Sequence, residues 1–215
     1  MKNSFRKFYR SNVYLLKWIN FKAFLFLKGE KGRFSRVIFF GKSSYKVHNS
    51  SKINIKDGIF AFNRFISKKD PFIGHLEMFQ QAEINVENTF FLHSGCDVMV
   101  FENARLNLGS GYINRYCKIR CYSEISIGHN VAISENFNIW DSDAHEIEGV
   151  EHSCTQKITI GNHVWIGTNV TVLKGVSIGD GVVISAGSLV NKDIPANCLA
   201  AGVPAKVIKE NIKWK

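Results

Sequence analysis

From Ile158 to Lys209 the chain reads as a ladder: Ile160, Ile166, Val172, Ile178, Ile184 and Val190 recur at every sixth position, and glycine follows at 161, 167 and 179. Most of the residues between them are small or turn-forming. A period of six matches neither the 3.6-residue period of an amphipathic helix nor the strict alternation of a half-buried strand. It matches short strands broken at regular intervals by tight turns, the repeat of a parallel β-helix. One aliphatic side chain per hexad is expected to point inward, while Gly, Asn and Asp take up turn conformations that bulkier residues resist.

Upstream the rhythm weakens. Ile127, Ile133 and Ile139 keep the spacing of six, and one-residue offsets near 113–121 imply a bulge or imperfect turn. Short β segments occupy 82–108, Lys68-Lys69-Asp70-Pro71 reads as a loop, and a ragged strand-and-turn pattern begins at Val47. Ile139 and Ile160 lie 21 apart, which is not a multiple of six, so WDSDAHEIEGVEHSCTQK (140–157) must leave the coil and return. A polar excursion from a regular scaffold is where function is usually placed. This one holds Asp141, Asp143, His145, Glu146, Glu148, Glu151 and His152. After Val190, Gly202 and Pro204 mark a turn, and residues 205–215 are expected to form a short basic C-terminal helix closing the open end. The expected architecture is all-β: one β-helical domain over 47–204, an extension over 1–46 and the terminal helix.

With 215 residues, 45% of them hydrophobic, the chain can bury a sizeable core. Its net charge of +10 is unevenly placed. Residues 1–46 hold twelve of the 28 bases and one of the 18 acids, a balance of +11, so the remainder carries −1. The same segment interleaves aromatic and aliphatic residues with its bases, as in Val13–Leu16, Trp18 and Phe24–Leu27. It fits either a cap over the first coil or an interfacial element contacting an anionic membrane surface. It carries no nucleic-acid-binding motif, so no nucleic-acid partner is expected. Five cysteines (96, 117, 121, 154, 198) lack zinc-like pairing and read as buried reduced thiols. The early apolar runs are short and broken by Lys, unlike a signal peptide, and none reaches the roughly 20 residues of a bilayer span. A cytoplasmic location is the expectation, peripheral at the inner face of a membrane under the interfacial reading of 1–46.

The succession DSDAH, VWIG, SAGS, KDIPAN and AGVPAKVI resembles the left-handed β-helix acyltransferases of the hexapeptide-repeat superfamily, and above all its sugar and polysaccharide O-acetyltransferases. The resemblance is dense over 108–209, fainter over 47–107 and absent from 1–46. It implies a triangular prism with three hexads per coil, a homotrimer with active sites between subunits, and acetyl-CoA as co-substrate. The family's catalytic histidine maps to His145, a general base that takes the proton of an acceptor hydroxyl. A carboxylate should hold its other ring nitrogen: Asp143 first, with Asp141 and Glu146 behind it and also in reach of the acceptor. Trp165 could line the acceptor or pantetheine groove, or pack at a subunit contact. The positions matching the CoA site are Thr168, Ala186, Gly187, Asn191, Lys192, Gly202, Lys206 and Lys209. His129 and His163 read as exposed turn residues, and His152 as a loop histidine or an alternative base.

Three rival readings remain. A zinc enzyme of the γ-carbonic anhydrase type needs three converging histidines; no third spacing accompanies His145 and His152, so no metal is expected. A non-enzymatic scaffold explains the repeat but not the acidic His loop. An amino-sugar acceptor, giving N-acetylation, would use the same base, as would a small xenobiotic.

Overall fold

The computed structural model describes residues 19–20, 22–23, 27–67, 70–145, 148 and 153–215. Among them, twenty-two strands form three sheets of nine, seven and six strands. Strands up to the twentieth visit the first, second and third sheet in turn, the last two return to the first, and neighbours within a sheet run parallel until that last pair. Each circuit is one coil of a three-walled β-helix.

The C-terminal coils explain the hexad. Ile166 of β16 (Trp165–Ile166) pairs with Ile184 of β19 (Val183–Ile184), eighteen residues on, so three hexads close one coil. The inward ladder is double. Val164, Val170, Val176 and Val182 are buried two residues before Ile166, Val172, Ile178 and Ile184. Side chains two apart along extended chain share a face, so each hexad contributes two core residues, where the spacing of six alone suggested one.

Earlier coils are longer. Leu92 of β7 (Phe90–His93) pairs with Ile113 of β10 (Gly111–Ile113), and Ile113 pairs in turn with Ile133 of β13 (Val131–Ile133). Neither step is a multiple of six. Strands there reach four residues, and the sixfold phase drifts without any break in the walls. A longer step still runs from Phe60 in β4 (Ile59–Arg64) to Phe90. Its surplus is the 65–73 segment, where the Arg115 guanidinium bonds the Asp70 carboxylate at 3.1 Å.

Coiling begins before Val47. β1 (Arg36–Phe39) and β2 (Ser43–Val47) pair in parallel with β4 and β5 (Gly74–Met78), inside the segment that its charge sets apart as an extension. As the edge of its sheet, β1 exposes unpaired backbone groups. Asn20, itself buried, donates to the Phe39 carbonyl (3.0 Å) and accepts from the Phe39 amide (2.7 Å). Ala23 and Leu27 join the core beneath it. Of residues 1–46, on which the membrane reading rests, 1–18, 21 and 24–26 lie outside the described residues, and no described helix is long and apolar enough to cross a membrane.

The opposite end corrects the expected helix. β22 (Ala205–Lys209) folds back antiparallel on β21 (Leu199–Gly202). The last coil leaves a strand edge that a helix could not pair; a hairpin turning at 203–204 can. Residues 210–215 then climb the side of the coils: the Ile212 amide bonds Asn197, and the Trp214 ring stacks on His163 at 4.0 Å. The Trp214 indole N–H also donates to the His163 carbonyl at 2.9 Å.

Candidate active site at two corners of the coil

The 140–157 excursion leaves at the corner between the second and third sheets, after β14 (Asn138–Trp140) and before β15 (Ile158–Ile160). Ile133 pairs with Ile166 across the excursion, and Ile166 with Ile184 in the next coil. The first of these steps is the longer by fifteen residues, which is the length the excursion adds. Its neck is a short antiparallel ladder. The Asp143 amide donates to the Cys154 carbonyl and the Gln156 amide to the Asp141 carbonyl, both at 2.9 Å, around the Ser142–Thr155 bridge. The Ser142 hydroxyl donates to the Cys154 carbonyl (3.2 Å) and accepts from the Thr155 hydroxyl (2.8 Å) and the Ala144 amide (3.0 Å). That uses its full hydrogen-bonding capacity. Ala144 turns at φ 60°, and His145 emerges exposed just beyond the neck.

The carboxylates divide by burial. Asp141 is fully buried, and its two oxygens accept the amides of Tyr122 (2.6 Å), Ser123 (2.8 Å) and Glu124 (2.8 Å). Burial pushes its pKa up, against those amides, which favour the ionised form. Its carboxylate is therefore committed to the coil above, and it serves the site as a structural tie rather than facing an acceptor. Asp143 is half exposed and pairs with Lys174 Nζ at 2.5 Å. Lys174 lies one coil further on, between β17 (Thr171–Val172) and β18 (Ser177–Ile178), at the same corner. Glu146 and His152 lie outside the described residues. Trp140, 44% exposed on the outer face beside the excursion, was not singled out from sequence, because a tryptophan inside the phase break carries no periodic signal.

The residues expected at CoA separate into two groups. Thr168 and Ala186–Gly187, after β16 and β19, stack with Gly202 at the end of β21 at the corner between the first and second sheets. The Gly187 amide donates to the Thr168 carbonyl at 2.8 Å, and the Gly202 amide to the Ser188 hydroxyl at 3.2 Å. Gly187 has φ +73°, and a Cβ there would meet nothing within 4 Å. Gly187 is thus open on its outer side, with backbone there approachable by a thin ligand. Exposed Lys206 and Lys209 follow on the hairpin. Asn191 and Lys192, also exposed, come after β20 (Leu189–Val190) and lie at the corner of His145. Trp165 is 45% exposed on the first sheet, with the Trp214 ring 6.0 Å away. His129 and His163 sit at the remaining corner, and His163 takes a turn conformation at φ 52°. Among the described residues, no three His, Cys, Asp or Glu side chains gather as a metal site.

Residues 157–192 match the family model described as bacterial transferase hexapeptide (six repeats). These residues carry the hexapeptide repeat of that transferase family. Galactoside O-acetyltransferase of Escherichia coli (strain K12) is 37% identical over 139 residues, 62% of this chain and 65% of that protein. The putative lipopolysaccharide biosynthesis O-acetyl transferase WbbJ of the same strain is 36% identical over 113 residues, 46% of this chain and 56% of WbbJ. This hexapeptide-repeat chain therefore spans less than two thirds of the length of these relatives. The crystal structure of the polysialic acid O-acetyltransferase OatWY has its fold, with a TM-score of 0.51 at 23% identity over 88% of this chain and 90% of that one.

Proposed function

We propose that the protein transfers an acetyl group from acetyl-CoA to a hydroxyl of a sugar or surface-polysaccharide precursor, with His145 as general base. The observation that carries this reading is the division of the site. A clamped neck presents an exposed imidazole at one corner of the second sheet, and a stack of Thr168, Gly187 and Gly202, open at Gly187, lies at its other corner. Both corners flank one wall, so neighbouring copies in a homotrimer can face the His145 corner of one chain with the glycine corner of the next. O-acetyl transfer is also in the names of both relatives above, a galactoside O-acetyltransferase and a putative lipopolysaccharide biosynthesis O-acetyl transferase.

Acetyl-CoA supplies an activated acyl group. His145 takes the proton of the acceptor hydroxyl as its oxygen bonds the acyl carbon. The carbon–sulfur bond breaks, and the imidazolium returns the proton to the departing thiolate. Asp143, or a carboxylate beside it, holds the ring in register. Asn191, Lys192, Lys206 and Lys209 meet the polar length and phosphates of CoA, and Trp165 lines the groove.

The test is a screen of sugars, nucleotide sugars and glycan fragments with release of free CoA as readout. His145→Ala should lower turnover at least about 100-fold while CoA still raises the melting temperature. Turnover unchanged in the variant would remove His145 as the base. No melting shift of the wild-type chain with CoA or acetyl-CoA would remove the transferase reading.

A further inference from the structure

The excursion that bears His145 is fifteen residues longer than the coil needs, yet a base must be held to within fractions of an ångström of its substrate. The neck fixes the two limbs to each other. It does not fix them to the next coil, from which the candidate CoA residues Asn191 and Lys192 continue. Lys174 makes that connection. Its side chain is only 15% exposed, and its ammonium contacts both limbs: the Asp143 carboxylate at 2.5 Å on the entry limb and the Ser153 carbonyl at 2.6 Å on the exit limb. The backbone beside it joins the same limb, the Gly175 amide donating to the Gln156 carbonyl at 3.1 Å. At Gly175 the φ is +77°, and a Cβ would meet the Gln156 side-chain oxygen at 2.4 Å, so the turn lies flush against the excursion.

We propose that Lys174 is a positioning residue for the transfer reaction: a partly buried cation that pins both limbs of the His145 excursion to the following coil and sets where the imidazole stands. This rests on the reading of His145 as base. A lysine in a β-helix turn ordinarily extends into water, because its ammonium is strongly hydrated. Here it gives up part of that hydration for one carboxylate and one carbonyl on opposite limbs. A charge-assisted contact to each limb resists the two limbs shearing past the coil, which the neck's own hydrogen bonds cannot do. Asp143 then has a role of its own through Lys174, whatever else its carboxylate contacts.

The test uses the full-length chain with acetyl-CoA, the acceptor found in the screen, and amide hydrogen exchange over 141–145 and 153–156. Lys174→Met keeps the aliphatic stem and removes the charge. It should lower kcat at least about tenfold with the KM for acetyl-CoA within about twofold, and speed exchange in both limbs. Lys174→Arg, which keeps a cation, should restore most of the turnover and protection. Asp143→Asn, which weakens the same contact from the other side, should speed exchange in the entry limb and serves if the methionine variant does not fold. Lys174→Met turning over within about twofold of wild type, or Lys174→Arg as slow as Lys174→Met, would overturn the proposal. If His145→Ala keeps full turnover, the base assignment fails, and unchanged exchange in Lys174→Met separately shows that Lys174 anchors nothing.

Discussion

Replacing Asp141 separates a structural carboxylate from a ligand-binding one. In the native chain its two oxygens accept three backbone amides, from Tyr122, Ser123 and Glu124, and no part of the side chain reaches solvent. Asp141→Ala leaves three donors without acceptors, each costing about 1–3 kcal/mol when buried. Ser123 lies at the exposed edge, where water can replace the lost oxygen, and removing a desolvated charge returns part of the loss. The net cost is then about 3–5 kcal/mol, a large share of a stability of about 5–15 kcal/mol. For a chain of this length each kcal/mol lowers the melting temperature by about 2–4 °C, giving a fall of about 6–20 °C. Asp141→Asn retains one acceptor oxygen but turns an NH2 group towards an amide donor, so it should fall by roughly half as much. Thermal denaturation gives the total, and hydrogen exchange at 122–124 gives its location, which matters because stacked coils need not unfold as one unit. Asp141→Ala melting within about 2 °C of wild type, with those amides still protected, would refute the reasoning and return Asp141 to the acceptor site.

Two glycines at the same corner of successive coils make a second contrast. A Cβ at Gly167 would meet the Ala186 amide nitrogen at 2.6 Å, whereas one at Gly187 meets nothing. Gly167→Ala should cost about 1–3 kcal/mol by forcing coils apart. Gly187→Ala carries only the left-handed strain of about 1–2 kcal/mol, but should weaken the melting shift produced by CoA; an undiminished shift would place the pantetheine elsewhere. The pH dependence of stability should carry an Asp70 component. Burial pushes this carboxyl up, but neighbouring donors, the Ile66 amide and the Arg115 guanidinium among them, outweigh burial and hold its pKa below the ordinary value of 3.8. A depressed carboxylate stabilises the fold above its unfolded pKa, and the contribution is lost as pH falls through the lower folded value. Acid titration of Asp70→Asn should lack that component; a profile identical to wild type would show that the pair contributes nothing.

The hexads of 158–190 determined the β-helix without help from the rest of the chain, because coils built of three whole hexads keep the aliphatic ladder in phase with itself. They also located the excursion, since fifteen extra residues break that phase by an amount readable from Ile139 and Ile160. In the N-terminal coils, longer circuits and strands of four spread the same inward positions over a drifting spacing, so the walls were hidden although the core was present. The charge and aromatics of 1–46 likewise masked two strands and the Asn20 tie to Phe39, a contact between residues nineteen apart that no local pattern announces. DSDAH named the acids around His145 but not their employment, because burial decides which carboxylate faces backbone amides and which faces a cation. The helix expected over 205–215 gave way to a strand over 205–209, because the free edge of the last coil supplied it with a partner. The division of the site between two corners was equally beyond the sequence. Thr168 and Lys192 are separated by a full circuit and one further wall, β17 to β20, so the folded coil sets them at different corners.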